Sequence, residues 1–178
     1  MTVNPRTRDD ATPACRLTPF TPDWAPTVVR WVRDAQEAYW LAPKTPPPLT
    51  AAQILGWRKP EHCPYLLFAA DHALPVAYGE LNRLHGVRRQ YWLGHLIVDA
   101  ARRRRGYGVQ LTRHLLHEAF VQRGAHRVTL VVFAENTAAL ACYRAAGMRD
   151  DGFEWHTFPA YGRRECLLRL AASAPPVS

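Results

Sequence analysis

Arg102-Arg103-Arg104-Arg105-Gly106-Tyr107-Gly108 concentrates four guanidinium groups and two glycines in seven residues. The chemistry it suits is the holding of a phosphate. It follows the apolar run His95-Leu96-Ile97-Val98-Asp99, which reads as a buried strand. It precedes Val109 to Phe120, where a helical stripe recurs at 109, 112, 116 and 120 and again at 111, 115 and 119. The first N–H groups of a helix have no partner within it, and the helix dipole favours negative charge there. Gly106 and Gly108 lack a Cβ, so an anion is expected to approach the backbone closely. A phosphate or pyrophosphate is the natural guest of such a turn. The glycine spacing is not the G-x-G-x-x-G of a dinucleotide loop, and no Gly-Lys-Ser/Thr follows as in a P-loop.

The elements that must position this turn are legible on both sides. Downstream, Arg127 to Phe133 is a β-branched and aromatic strand bounded by Gly124. Asn136 or Thr137 then caps an alanine-rich helix, and Gly147 sits where a left-handed C-terminal residue belongs. Upstream, Cys15 to Pro19 reads as a short strand. Thr21 and Pro22 open a helix through Val28, Trp31, Val32 and Ala35 that ends at Ala38 to Leu41. Pro43 to Pro48 is a stiff loop, and Thr50 caps a second helix through Ile54, Leu55 and Trp57. Tyr65–Ala70 and Pro75–Leu81 form a hairpin, and Tyr91–Val98 pairs back onto it. Phe153–Phe158 and Arg163–Leu170 form a closing antiparallel pair. The strands ending at Val98 and containing Val131 are expected to be parallel neighbours, because a helical crossover joins them.

Two motifs carry a family resemblance. Arg103, Gly106 and Gly108 fill the pattern [Q/R]-x-x-G-x-[G/A], and Val98 to Gly108 follows it without a gap, although Ala100 stands where a proline is common. Asn136, Tyr143, Gly147 and Met148 fill a second pattern, with Met148 in place of the usual Phe. Both resemble the GNAT superfamily of N-acetyltransferases, and the element order matches that family over roughly residues 16–170. The resemblance implies an α+β fold, an α/β/α sandwich of the acyl-CoA N-acyltransferase type. Its mixed, mostly antiparallel sheet would have about seven strands, with a parallel pair splayed to hold CoA. It implies one N-acetyltransferase domain over 1–178, with tails at 1–14 and 171–178.

The chemistry implied is acetyl transfer from acetyl-CoA to a primary amine, by direct attack in a ternary complex. The backbone of Leu96, Ile97 and Val98 would bond the pantetheine arm, which lies between the splayed strands like an extra strand. Arg103, Arg104, Arg105, Gly106, Tyr107, Gly108 and Val109 would hold the pyrophosphate, and Asn136 would bond the pantetheine from the far side. Tyr143 would stabilise or protonate the departing thiolate, although a helical tyrosine also packs well in a core. Some family members place a glutamate base where this chain has Val131. Glu80 and His95 are the remaining candidates for base. Their bland alternatives are a solvent-facing strand residue and a core histidine. Tyr39 and Trp40, beside the proline-rich loop, are the expected acceptor-pocket walls.

A chain of 178 residues, 48% hydrophobic and 21% charged, is sized for one globular domain with its own core. No apolar run reaches transmembrane length and no signal-peptide core follows Met1, so a cytoplasmic protein without membrane partner is expected. Cys15, Cys63, Cys142 and Cys166 form no C-x-x-C or Cys/His cluster, so no metal is expected. Cys142 and Cys166 are expected to be buried thiols, and Cys142 has no local histidine to make it a nucleophile. The net charge of +8 admits a non-catalytic basic module that binds nucleic acid, but the arginines form one compact cluster rather than a stripe with interleaved aromatics. A longer acyl-CoA donor is the other alternative. Protein N-termini, small amines and aminoglycosides stay open as acceptors, and a homodimer stays open as the assembly.

Overall fold

β4 (Gln90–Val98) is the fourth strand of a seven-stranded sheet of order β1-β2-β3-β4-β5-β7-β6. The computed structural model describes residues 14–174. The other strands are β1 (Cys15–Pro19), β2 (His62–Ala69), β3 (Ala77–Arg83), β5 (Arg127–Val132), β6 (Arg149–Phe158) and β7 (Arg163–Ser173). Every neighbouring pair is antiparallel except β4 and β5. The residues between β4 and β5 form helix α4 (Tyr107–His117), which ends in one π turn over Glu118–Gln122. Helix α5 (Thr137–Ala145) follows β5.

Alternation along the strands divides the core into two faces. Leu67, Ala77, Leu81, Leu93, Leu130 and Val132 pack with Leu111, Leu115 and Leu116 of α4 and with Leu140 of α5. Leu66, Phe68, Tyr78 and Ile97 point the other way, onto α1 (Ala25–Arg30) and α3 (Ala51–Gly56). Each fully buried side chain of this kind contributes about 1.5–3 kcal/mol. The architecture is the expected α/β/α sandwich.

Three expectations need correction. The helix expected from Thr21 to Leu41 is a 3-10 turn (Pro22–Trp24) followed by two helices, α1 and α2 (Ala35–Leu41). The break arises because the Asp34 side chain accepts the Glu37 N–H and starts a new helix, whereas Thr21 makes no side-chain cap. The tail expected from residue 171 is still strand, since Ala171, Ala172 and Ser173 pair with Thr129, Val128 and Arg127. Cys166 is exposed rather than buried: on β7 it stands opposite Trp155 of β6, which is itself exposed. The rest of the expected tails, residues 1–13 and 175–178, lies outside the described residues. No helix among the described residues is long and apolar enough to cross a membrane.

Candidate active site

The parallel strands β4 and β5 pair only at Gln90↔Arg127, Tyr91↔Val128 and Trp92↔Thr129. Beyond those three positions they part. Leu93 to Val98 has β3 on one side and, among the described residues, no strand on the other, and the backbone edge so exposed includes Leu96, Ile97 and Val98. An unpaired edge needs hydrogen-bond partners from outside the strand.

The cleft leads to the start of α4. Gly106 takes a left-handed conformation at φ +79° as N-cap, and no side chain caps the helix. Its first free N–H groups therefore point outward, as an anion site requires. The glycines also do conformational and steric work within the protein. A Cβ at Gly106 would meet nothing within 4 Å, so its requirement is the positive φ. A Cβ at Gly108 would lie 2.9 Å from Cys142 Sγ, so the missing side chain lets α4 and α5 pack. Tyr107 is buried in the core, leaving only its backbone facing the turn.

The four arginines divide into two pairs. Arg102 reaches His72 Nε2 at 2.6 Å and lies 3.7 Å from Asp99. Arg103 donates to Val98 O at 3.2 Å, to Trp31 O at 3.1 Å and to both carboxylate oxygens of Glu37. All three of its guanidinium nitrogens are thus engaged within the protein. Arg104, at φ +61°, and Arg105 are exposed and make no such bond among the described residues. They and the helix amides are the groups open to an anion.

Across the cleft, Asn136 caps α5 by accepting the Ala139 N–H at 3.2 Å. Tyr143 lies in the last turn of α5 and packs against the α4-side core. Burial, with a smaller contribution from Cys142, pushes its phenol well above the usual tyrosine range. Cys142 is itself raised by burial, which favours the inert thiol. Val131, where a glutamate would have served as base, is exposed on the opposite face.

Glu80 and His95 come together. Glu80 is 1% exposed, so it is not the solvent-facing residue that strand alternation allowed. It accepts the Tyr78 hydroxyl at 2.7 Å and the Asn82 amide at 2.9 Å. His95 Nδ1 lies 3.0 Å from Glu80 Oε1, and His62 Nδ1 lies 3.7 Å from Oε2. Trp57 stacks on the His95 ring at 3.9 Å, and Trp92 meets His62 edge-on. His62, Asn82 and Tyr78 belong to no motif. Only their shared parity on the neighbouring strands β2 and β3, once register is known, would have joined them.

Tyr39 differs from the expected pocket wall. It is 4% exposed, packed between Phe133, Phe158 and Tyr161, and its hydroxyl is 3.3 Å from Glu165. Its bulk fills the gap between α2 and the β6–β7 corner, so it is a packing residue. Trp40, half-buried against the same cluster, keeps an accessible face.

The acetyltransferase (GNAT) family model matches residues 26–148, more than half of the chain. An uncharacterised protein of Mycobacterium leprae (strain TN) is 34% identical over 98 residues, 54% of this chain and 26% of that protein. The chain therefore spans about a quarter of the length of this curated relative. Among solved structures, the spermidine N-acetyltransferase of Vibrio cholerae in complex with CoA and spermine has a TM-score of 0.73 at 15% identity, covering 89% of this chain and 95% of that one. A GNAT-family acetyltransferase of Bacillus anthracis gives 0.73 at 15%, covering 89% and 94%. AAC(6')-Ib in complex with ribostamycin and coenzyme A gives 0.70 at 17%, covering 90% and 93%. At such identities the likeness is one of fold.

Proposed function

The chain belongs to the acetyltransferase (GNAT) family, and from that premise we propose that it transfers an acetyl group from acetyl-CoA to a primary amine by direct attack in a ternary complex. The observation that carries this reading is the parting of β4 and β5 after Trp92 and Thr129, with an uncapped helix N-terminus at the Gly106 turn. An extended amide-bearing arm fits the free edge of Leu96 to Val98, and a pyrophosphate fits the turn from Arg104 to Val109. Solved neighbours that carry CoA support the choice of donor. A spermidine and an aminoglycoside acetyltransferase among them favour a small amine as acceptor, ahead of a protein N-terminus.

In the proposed reaction a base takes one proton from the ammonium form of the acceptor. The neutral nitrogen attacks the thioester carbonyl, the C–N bond forms and the C–S bond breaks. Sulfur leaves with the electron pair, and since a thiol of this kind has a pKa of about 8.5, it benefits from a proton donor. Tyr143, kept neutral by burial, supplies that proton and recovers one through solvent from the newly acylated nitrogen. Glu80 and His95 are the groups assigned to the base, Asn136 to the far side of the pantetheine and Trp40 to the acceptor side.

The nucleic-acid alternative is weakened because Arg102 and Arg103 spend their charge inside the protein. The test is a panel of polyamines, aminoglycosides, amino-acid amines and peptide N-termini, with release of free thiol as the readout. Acetyl-CoA and longer acyl-CoA donors are run side by side. Thiol release with at least one amine is expected. A folded protein that binds neither acetyl-CoA nor any longer acyl-CoA overturns the reading.

A further inference from the structure

We infer that His95 is the base of the proposed transfer, and that Glu80 is a positioning residue which fixes the His95 ring through a carboxylate held by Tyr78 and Asn82. This rests on the acetyl-transfer reading above and divides between the two residues a role that reading leaves shared.

The first observation is a change of face. Glu80 pairs with Gly94 and Tyr78 with Ile97, so β4 carries one more residue than β3 between those pairs. Strict alternation from Gly94 would put His95 on the α4 face, opposite Glu80. The bulge instead carries His95 at φ +50° and turns its ring onto the Glu80 face. Leu96 after it packs on the α4 side, and Ile97 on the other. A left-handed backbone at a residue other than glycine costs energy and persists where surrounding contacts demand it. Here the contacts are Trp57, stacked on the ring at 12° between planes, and the Glu80 carboxylate.

The second observation concerns which atoms are free. Both Glu80 oxygens are occupied, Oε1 by the Tyr78 hydroxyl and Oε2 by the Asn82 amide. Asn82 is itself held by the Cys63 N–H, 3.2 Å from its Oδ1, so β2 and β3 together fix the carboxylate. At 1% exposure it has no oxygen to offer an incoming amine. Burial pushes its carboxyl up, but the contacts with His95, Asn82 and Tyr78 outweigh that and hold it below the usual range, so it stays ionised. His95 differs. Its Nδ1 is buried toward Glu80 without an aligned hydrogen bond, while Nε2 bonds to nothing among the described residues and reaches solvent. A carboxylate facing Nδ1 places the imidazole proton there and leaves the lone pair on Nε2. A base oriented by a third group is the arrangement that activates nucleophiles elsewhere. His62 on β2 faces the other oxygen of the same carboxylate, and the charge of Arg58, beside α3, acts on the Tyr78 hydroxyl.

In the step itself the ammonium nitrogen of the acceptor gives one proton to His95 Nε2. The imidazolium so formed is balanced by the Glu80 carboxylate, and the proton leaves from Nε2 to solvent when the product departs. No other bond changes.

The test has two arms. Nitrogen-15 NMR of histidine-labelled, unliganded protein reads the tautomer of His95 without any reaction. We expect the proton on Nδ1 in the wild type and a mixture of tautomers in Glu80→Gln and in the milder Asn82→Ser. In pH profiles with an active amine, His95→Gln is expected to lose the acidic limb of kcat and about 100-fold or more in rate. Glu80→Gln and Asn82→Ser should lose about tenfold, keep a limb, and bind acetyl-CoA as the wild type does. A wild-type His95 protonated on Nε2, or a His95→Gln variant with the full rate and limb, overturns the inference. If no amine is acetylated, the reaction assigned above fails while the tautomer still reports on the pair.

Discussion

Arg103 donates to both oxygens of Glu37, and in doing so joins the turn before α4 to helix α2, 66 residues earlier in the chain. Burial raises the Glu37 carboxyl, but Arg103 and Arg33 outweigh it and hold it at about 2. A carboxylate whose pKa is depressed on folding stabilises the fold above its unfolded value, about 4.3, and loses that contribution as pH falls. The stabilisation from this pair is therefore expected to be complete at neutral pH and to fade between about 4.3 and about 2. Glu37→Gln should lower stability by about 1–3 kcal/mol at neutral pH and flatten that part of the acid profile, as read by urea unfolding.

Gly108 and Cys142 make a second, steric prediction. With a Cβ at Gly108 only 2.9 Å from Cys142 Sγ, Gly108→Ala should destabilise by about 1–3 kcal/mol. In a Cys142→Ala background the same change should cost much less, because the obstructing sulfur is gone. Thermal unfolding of the four proteins measures the coupling. Equal costs in both backgrounds would mean that the helices do not meet there.

Donor binding is expected to depend on the conformation of Gly106. Gly106→Glu forces a strained φ and adds negative charge at the helix N-terminus, so the Kd for acetyl-CoA should rise by about tenfold or more. Gly106→Asn tolerates the left-handed region and should bind within about threefold of the wild type. Calorimetric titration distinguishes them. Unchanged affinity in a folded Gly106→Glu protein would remove the pyrophosphate from this turn.

Tyr143→Phe keeps the ring packed and removes the proton donor. Turnover should fall by about 10- to 1,000-fold with donor affinity unchanged. Wild-type steady-state turnover with an active amine would leave Tyr143 a purely packing residue.

Much of the proposed donor side was legible in the chain. The strand ending at Val98, the Gly106 turn and the stripe of α4 are local signals, and local signals survive into the fold. The acceptor side was less so. Asp34, a good N-cap in the middle of an apolar stripe, divides one expected helix into two, and periodicity alone does not register such a break. The bulge at His95 is invisible to composition, since nothing in Gly94-His95-Leu96 marks an extra residue until β3 is laid beside it. An aromatic beside a proline-rich loop suits a pocket, which is why the sequence points to Tyr39 as a wall. The β6–β7 corner that buries it lies more than 110 residues away in sequence.

Because only three residue pairs join β4 to β5, the sheet is mechanically two leaves. One holds β1 to β4, the other β5, β7 and β6. What else ties them is side-chain packing rather than backbone pairing: Leu81 and Leu93 of the first leaf share one core with Leu130 and Val132 of the second. The Gly108–Cys142 contact and the bond from Arg113 to the Ala145 carbonyl join α4 to α5, and Tyr39 of α2 grips Phe133 and Phe158 on the second leaf. Each leaf has its own continuous ladder over the shared core, so local opening of backbone hydrogen bonds is expected leaf by leaf. Amide exchange in the free protein should then show two protection levels, divided between Trp92 and Thr129. A molecule that bonds both strand edges would merge them into one, and its binding would be felt as rigidity in strands it never touches.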